Sequence, residues 1–348
     1  MHMADALVSP AVGISLWAAG TAVTSYSARQ SGKELSEQKI PLMGVIGAFV
    51  FAVQMINFAI PGTGSSGHLG GGMLLAVLLG SHAGFLVMTS ILMIQALLFA
   101  DGGLLALGCN VMNLAFFPCY IAYPLICRPI VGQNPSKLRL TAGVTLAAVA
   151  GLQLGAAGVV LETVLSGITE LPLQTFALFM LPIHLLIGLV EAAVTVAVLL
   201  YIWREMPELL KLEPASARLD ARPLKRLTIA IMIAALLVSG ALSWFASEQP
   251  DGLEWSIMQT AGHDELQNSS WLHETLAQWQ QKISVFADYQ AGLPFLSDKK
   301  TTDTLDKTAK PPGDLNTSAA GVIGAVLILL IAGIIGAGCQ LLSKRNAN

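Results

Sequence analysis

The first two residues of the chain offer a nitrogen chelate for a metal ion. Because the chain begins Met1-His2-Met3, its terminal amine, the His2 amide nitrogen and the His2 imidazole Nδ1 can close fused small rings on one ion. His68, at the end of the glycine-rich loop 61–68, offers a fourth nitrogen. A near-planar nitrogen set suits Ni²⁺ and Cu²⁺, whereas Zn²⁺ favours tetrahedral ligation and Mg²⁺ and Ca²⁺ favour oxygen. A disordered tail, with His68 as a hydrogen-bonding loop residue, explains the same residues without a metal.

Asp5 has two candidate roles beside this chelate. Ligand imidazoles usually donate their second N–H to a carboxylate or carbonyl, so Asp5 can orient a histidine from just outside the coordination sphere. Equally, Asp5 or Ser9 can cap the helix that follows. We expect Met1 to be retained, because no basic region of a cleaved signal peptide precedes the first apolar segment.

The composition is that of a membrane protein. The chain has 348 residues, of which 54% are hydrophobic and 12% charged, and its mean hydropathy is +0.66. A soluble protein of this length carries about twice that share of charged residues. We therefore predict an all-α polytopic membrane protein in contact with lipid, and we expect no nucleic-acid partner. The four cysteines lie in or beside apolar segments and are expected to be free core residues.

Nine apolar segments are candidate membrane spans, since about 20 apolar residues cross the hydrocarbon core. They fall near 11–28, 41–60, 69–81, 83–100, 103–127, 140–163, 174–203, 227–246 and 319–342. The boundary between the third and fourth segments depends on Gly80-Ser81-His82 alone.

The basic residues give an orientation to these spans. Fourteen of the 19 Lys and Arg residues follow the first, fifth, seventh and ninth spans, and the other five lie in the long segment 247–318. Because basic loops stay cytoplasmic, we predict an outside N-terminus and a cytoplasmic C-terminus in a bacterial or archaeal plasma membrane. This parity places His2 and the loop 61–68 on the same outer side.

A composition change divides the chain into two units. Residues 1–203 form an apolar first unit, and 204–226 are rich in Arg, Glu and Pro, as expected of a cytoplasmic linker. The second unit, 227–348, has two predicted spans joined by an acidic outer loop, 247–318. Its last span contains small residues that allow close helix packing.

Several stretches, in this order along the chain, resemble a known family. They are Met1-His2-Met3, Ser66-Gly67-His68, residues 95–110, residues 184–192 and Pro250-Asp251-Gly252-Leu253-Glu254. The first four are similar to the M component, CbiM or NikM, of energy-coupling factor importers of cobalt and nickel. The fifth resembles the small N component of the same systems, so the chain looks like a fusion of the two.

The resemblance implies a function and a ligand set. It implies that the chain captures Co²⁺ or Ni²⁺ outside the cell, with Met1, His2 and His68 as ligands, and works with a transmembrane coupling protein and two cytoplasmic ATPases. These ions are substrates, and no organic cofactor is expected. Between the two metals we lean to Co²⁺, for cobalamin synthesis.

Two ionisable residues lie within the seventh predicted span. His184 and Glu191 are seven residues apart and therefore share one helix face. Ionisable groups inside a membrane are costly and usually functional. We interpret this pair as gating or helix-locking residues and not as ligands.

Other functional classes fit the sequence less well. The chain has no His-Glu-x-x-His pair of a metalloprotease and no Gly-x-x-x-x-Gly-Lys-Ser/Thr phosphate loop. We therefore predict that the chain is not an enzyme and that ATP hydrolysis occurs in partner subunits. The alternative is a self-contained secondary metal carrier or channel that needs no ATPase.

Overall fold

The computed structural model describes residues 1–34, 37–133, 135–210, 220–262, 270–290 and 315–347. The helices are α1 (Pro10–Glu34), α2 (Ile40–Gln54), α3 (Gly72–Leu79), α4 (Ser81–Phe99), α5 (Leu107–Val131), α6 (Lys137–Ser166), α7 (Leu173–Glu205), α8 (Ala221–Gly240), α9 (Gly252–Ala261), α10 (Trp271–Ile283) and α11 (Leu315–Ala347). Short 3₁₀ turns occur at Asp5–Leu7, Glu37–Lys39, Pro207–Leu210, Leu242–Phe245 and Ala287–Tyr289. Strands β1 (Phe58–Ile60) and β2 (Ser65–Gly67) form an antiparallel hairpin.

The prediction of an all-α polytopic membrane protein is confirmed. Within the described residues, six helices are long and apolar enough to cross a membrane: α4, α5, α6, α7, α8 and the Leu315–Leu342 part of α11. The four cysteines are free and buried. The six spanning helices are fewer than the nine predicted spans, because α1 is long but too polar to be counted and α2 has only 15 residues.

The prediction that residues 69–81 cross the whole membrane is wrong. Its helix, α3, has eight residues and is about 12 Å long, whereas the hydrocarbon core is about 30 Å thick. Gly80 adopts a φ of +86° and joins α3 to α4 in a tight hairpin. Since α3 is short, residues 68–71 run inside the bundle before the helix begins.

The contacts at the two ends of α4 show which residues lie at each end of the helix bundle. Near its start, His82 Nδ1 lies 2.6 Å from the Tyr120 hydroxyl, which is 2.7 Å from Ser27 Oγ in α1. After its end, Asp101 lies beside His2. The N-terminus and the loop before α3 therefore meet at the end of the bundle opposite to His82.

The second unit is packed into the first. Helix α11 contacts α2, α1 and α4 as well as α8. Gly324 lies directly against the Phe51 ring, and a Cβ at Gly44 would lie 2.6 Å from the Leu329 carbonyl oxygen. The predicted linker 204–226 lies partly outside the described residues, as does part of the predicted outer loop 247–318.

The α2–α11 contact gives a first prediction. Changing Gly44 to Ala should lower the thermal unfolding temperature of the detergent-purified protein, because the new methyl group forces α11 away from α2; overpacking of this kind costs about 1–3 kcal/mol. A Cβ at Gly333, also in a helix, meets nothing within 4 Å, so Gly333→Ala is the control and should not destabilise the protein. Equal unfolding temperatures for the two variants would contradict this packing.

Candidate metal site

The N-terminal residues lie in the protein interior. Met1 is 4% exposed and Met3 is fully buried. The Asn110 side chain holds Met3 at both backbone groups, since the Met3 N–H donates to Asn110 Oδ1 at 2.7 Å and Asn110 Nδ2 donates to the Met3 carbonyl at 3.2 Å. The Gly103 N–H also donates to that carbonyl, at 2.9 Å. Met3 is therefore fixed by hydrogen bonds to Asn110 in α5 and to Gly103 just before it.

The terminal ammonium lies between an imidazole and a carboxylate. Its nitrogen is 2.9 Å from His68 Nε2 and 2.7 Å from Asp251 Oδ2. His68 Nδ1 faces the Leu69 carbonyl at 3.2 Å, so Nδ1 carries the proton and Nε2 accepts from the ammonium. Burial first, and then the ammonium and His2, lower the pKa of His68 to about 3. His68 is therefore a neutral imidazole whose lone pair points at Met1.

His2 completes the group. Its ring stacks on His68, with centroids 4.9 Å apart and planes 11° apart. His2 Nδ1 is 3.1 Å from Asp101 Oδ1, and the Tyr289 hydroxyl donates to Asp101 Oδ2 at 2.5 Å. Burial alone would raise the pKa of Asp101, but the electrostatic interaction with His2 and the hydrogen bonds from His2 and Tyr289 hold that pKa below its ordinary value. Asp101 is therefore an ionised partner for the first histidine.

The structure brings Met1, His2 and His68 together, and it places Asp5 elsewhere. Asp5 Oδ1 accepts the Ala106 N–H at 2.9 Å, beside the start of α5. The expectation that Asp5 orients a histidine is therefore corrected, because the carboxylate next to His2 is Asp101. Nor does the Asp5 carboxylate cap α1, because it accepts from the Ala106 N–H at α5, whereas Ser9 Oγ accepts from the Val12 N–H of α1 at 3.5 Å.

Two residues of the site were not identified from the sequence. Asp101 is a single acidic residue between two apolar segments, and Asp251 belongs to the Pro250–Glu254 stretch that carried the family resemblance. Burial would raise the pKa of Asp251, yet the nearby ammonium and His68 hold it below its ordinary value. Within the described ranges, no group of three His, Cys, Asp or Glu side chains is arranged to hold a metal ion, so main-chain nitrogen is essential to any site here.

Helix α7 anchors the loop that carries His68. Glu191 Oε2 and Oε1 accept the N–H groups of Gly70 and Gly71 at 3.1 and 3.0 Å. Gly71 has a φ of +76° and immediately precedes α3, so a carboxyl group from a neighbouring helix satisfies N–H groups at the N-terminus of α3. His184 lies on the same buried face, and its Nδ1 donates to the Met180 carbonyl at 2.8 Å.

Part of the predicted outer loop covers the site. The Ser66 N–H donates to the Pro250 carbonyl at 2.8 Å, and Trp255 Nε1 donates to the Thr63 carbonyl at 3.0 Å. Asp251 Oδ1 caps α9, accepting from the Leu253 N–H at 2.8 Å. The same carboxylate therefore begins α9 and contacts the terminal ammonium, which ties the second unit to the first residue of the chain.

An acidic cavity leads to the group. It has a volume of about 1120 Å³ and is lined by His2 and His68. Its acidic lining residues are Asp5, Asp101, Glu248, Asp251, Glu254 and Asp288, and no Lys or Arg is present in the lining formed by the described residues. Clefts lined by one sign of charge concentrate ions of the opposite sign. The cavity thus favours the approach of cations.

The spacing of two nitrogens also fits coordination. Nitrogen ligands at adjacent corners of a square, each about 2.0–2.1 Å from a metal, lie about 2.9 Å apart. This is the distance between the Met1 nitrogen and His68 Nε2. His2 Nδ1 faces Asp101 in the structure, so its ring has to turn before a chelate with the Met1 amine can form.

Comparisons with known proteins agree with this architecture. Residues 2–209 match the CbiM family, described as the cobalt uptake substrate-specific transmembrane region, and residues 225–341 match the PDGLE domain. The fused nickel transport protein NikMN of Rhodobacter capsulatus is 32% identical over 270 residues, covering 73% of this chain and 75% of that protein. The cobalt transport protein CbiM of Geobacter sulfurreducens is 29% identical over 278 residues, covering 74% of this chain and 77% of that protein.

A solved structure gives the same result for the fold. The crystal structure of a transition metal transporter matches with a TM-score of 0.53 and 30% identity, covering 61% of this chain and 97% of that chain. The resemblance to CbiM or NikM followed by a CbiN-like unit is thereby confirmed. The chain belongs to the CbiM family and is a cobalt or nickel transport component, not an enzyme.

Proposed function

We propose that the chain captures Ni²⁺ or Co²⁺ as a transport substrate, with the Met1 amine, the His2 amide nitrogen and imidazole, and His68 Nε2 as ligands. The observation that carries this proposal is the buried terminal nitrogen 2.9 Å from His68 Nε2. A disordered tail does not account for a first residue that is 4% exposed. The stacked His2 ring adds its nitrogens to the same place.

Capture replaces two contacts of the terminal ammonium. An incoming ion would be held by the amine, the His2 amide nitrogen and the His68 lone pair, so the ammonium and the amide each release one proton to the solvent, and the ammonium loses its hydrogen bonds to His68 and Asp251. The His2 ring leaves Asp101, its proton moves from Nδ1 to Nε2, and Nδ1 turns towards the ion. Asp101 and Asp251 remain next to the ion and offset its charge.

We further propose that the chain is the substrate-specific component of an energy-coupling factor importer in a bacterial or archaeal plasma membrane. Its cavity opens to the outside, the C-terminus is cytoplasmic, and units 1–203 and 227–348 are the M-like and N-like parts. A transmembrane coupling protein and two ATPases supply the energy, since the sequence has no phosphate loop. Uptake of labelled ion by cells that express this chain alone should be near background, and co-expression of these partners should raise it.

The choice between the metals follows from the donor set. Planar nitrogen ligation suits Ni²⁺, and a fused relative is named a nickel transport protein. These arguments favour Ni²⁺ as the transported ion, in place of the preference for Co²⁺ stated in the sequence analysis. Competition calorimetry with the purified chain decides the order, and a higher affinity for Co²⁺ would reverse it.

The His2→Ala variant tests the capture site. We expect its affinity for Ni²⁺, measured by isothermal titration calorimetry in detergent, to fall by more than the roughly 10–100-fold that loss of an outer-shell partner causes. Uptake in cells should be lost with it. The variant should elute as a monodisperse species, because the N-terminus lies outside the spanning helices. Unchanged affinity would show that His2 is not a ligand.

A further inference from the structure

His184 has an unused ligand atom in the middle of the protein. The side chain is 1% exposed, and its Nδ1–H donates to the Met180 carbonyl at 2.8 Å. This bond fixes the tautomer, so Nε2 carries a lone pair. Nε2 is buried and has no hydrogen-bond partner among the described residues. Such a group is costly to bury and requires an explanation.

The unpartnered nitrogen lies at a small cavity. The cavity has a volume of about 10 Å³, which is room for about one water-sized particle. Its polar lining comes from Met1, His68, His184 and Asp251, and its apolar lining includes Leu152. A cavity of this size next to two imidazoles and a carboxylate fits a single small ion.

The surrounding backbone leaves space for the His184 ring. A Cβ at Gly252 would lie 2.9 Å from His184 Cε1 and 3.3 Å from its Nε2. Gly252 directly follows Asp251 and begins α9. Any larger residue there would obstruct the ring, so the second unit presents Asp251 to the cavity while leaving His184 access to it.

His68 and His184 share a ligand-like arrangement. Each has Nδ1 at a backbone carbonyl, Leu69 for His68 and Met180 for His184. Metal-binding histidines are typically oriented in this way by the atom opposite the ligand nitrogen. His184 lies 11 residues along α7, about 16 Å from its start. His184 therefore lies deeper in the helix bundle than Leu173, the first residue of α7.

We propose that His184 Nε2 joins the Met1 amine and His68 Nε2, beside the Asp251 carboxylate, in a second, inner station for the transported Ni²⁺ or Co²⁺. The inference rests on the proposed function, because the ion reaches this station from the chelate of Met1 and His2. The Met1 amine and His68 remain bound during the transfer, and His184 replaces the His2 nitrogens. His184 is therefore a ligand in transit, in addition to a residue that locks α7 to its neighbours.

Calorimetry with Ni²⁺ on the full-length chain in detergent separates the two sites. The His2→Ala variant should keep one weakly bound Ni²⁺ at the inner station. Adding His184→Gln to His2→Ala should abolish this residual saturable binding, whereas adding His82→Gln should leave it unchanged. His82 is the matched control because it contacts Tyr120 at the opposite end of the bundle.

The outcomes distinguish the inference from the function on which it rests. Residual binding that survives His184→Gln, or no residual binding in His2→Ala, overturns the inner station while leaving the capture site in place. Wild-type affinity in His2→Ala overturns the capture site itself. Monodisperse elution and the unfolding temperature show whether each variant is folded, and His184→Leu repeats the test if His184→Gln is not.

Discussion

Two extra residues ahead of Met1 are expected to abolish high-affinity binding of Ni²⁺. The addition turns the terminal amine into a peptide nitrogen, which carries no positive charge for the ion pair with Asp251 and binds a metal only after losing its proton. Met1 is 4% exposed, so the added residues also have no space in the folded protein. We expect the affinity to fall by at least about 1,000-fold, equivalent to about 4 kcal/mol.

The experiment compares two chains of identical composition. One carries Ser-Ser before Met1, exposed after removal of a new initiator methionine, and the other carries Ser-Ser after Asn348. Intact-mass measurement first establishes that Met1 is the mature first residue of the parent chain. Calorimetry should show loss of binding only in the N-terminal extension. Equal affinities in the two chains would mean that the amine is not a ligand.

The extension has a second consequence for the metal-free protein. It leaves Asp251 buried without its cationic partner, and removal of one member of a buried ion pair costs about 3–5 kcal/mol. The unfolding temperature should therefore fall even before metal is added. A chain that keeps its stability but loses binding would show that Asp251 finds another partner.

The sequence was sufficient for the general architecture and for the three ligand candidates. Apolar segments of spanning length predicted an all-helical membrane protein, since backbone groups in lipid have to be satisfied within helices. The distribution of Lys and Arg placed His2 and His68 on one side, and the structure brings the two rings into stacking contact. Their meeting could be predicted because it depends on topology and not on detailed packing.

The short helix α3 was less predictable. Residues 69–81 are as apolar as a complete span, yet Gly71 and Gly80 have positive φ values and confine the helix to eight residues. Hydropathy does not register such breaks, because glycine is compatible with helices as well as turns. The N–H groups released at its start are satisfied by Glu191, which is about 120 residues away in sequence.

The roles of the two aspartates depend on tertiary packing. Asp101 acquires its role because Tyr289 and His2 converge on it, and Asp251 acquires its role because α9 lies over the loop of Ser66. No local pattern in either segment indicates these contacts. The sequence identified 247–318 only as an acidic outer loop, whereas its described part forms one wall of the site.

Glu191→Ala is expected to destabilise the protein and weaken metal binding together. The variant leaves the Gly70 and Gly71 N–H groups buried without acceptors, and each unsatisfied group costs about 1–3 kcal/mol. Because His68 is two residues before Gly70, loss of this anchor frees the loop that presents its imidazole. We expect a lower unfolding temperature and at least about a tenfold lower affinity for Ni²⁺, or about 1.4 kcal/mol.

Two further variants make this prediction specific. Glu191→Gln keeps one oxygen acceptor but turns an NH₂ group towards the second N–H, so its effects should lie between those of wild type and Glu191→Ala. Glu170→Ala removes the same charge from an exposed position and should change neither quantity. If Glu191→Ala lowered stability without affecting Ni²⁺ affinity, Glu191 would hold α3 and α7 together without positioning His68. A graded loss of both quantities would instead show that the helix lock and the capture site are one mechanical unit, since the same two hydrogen bonds serve both.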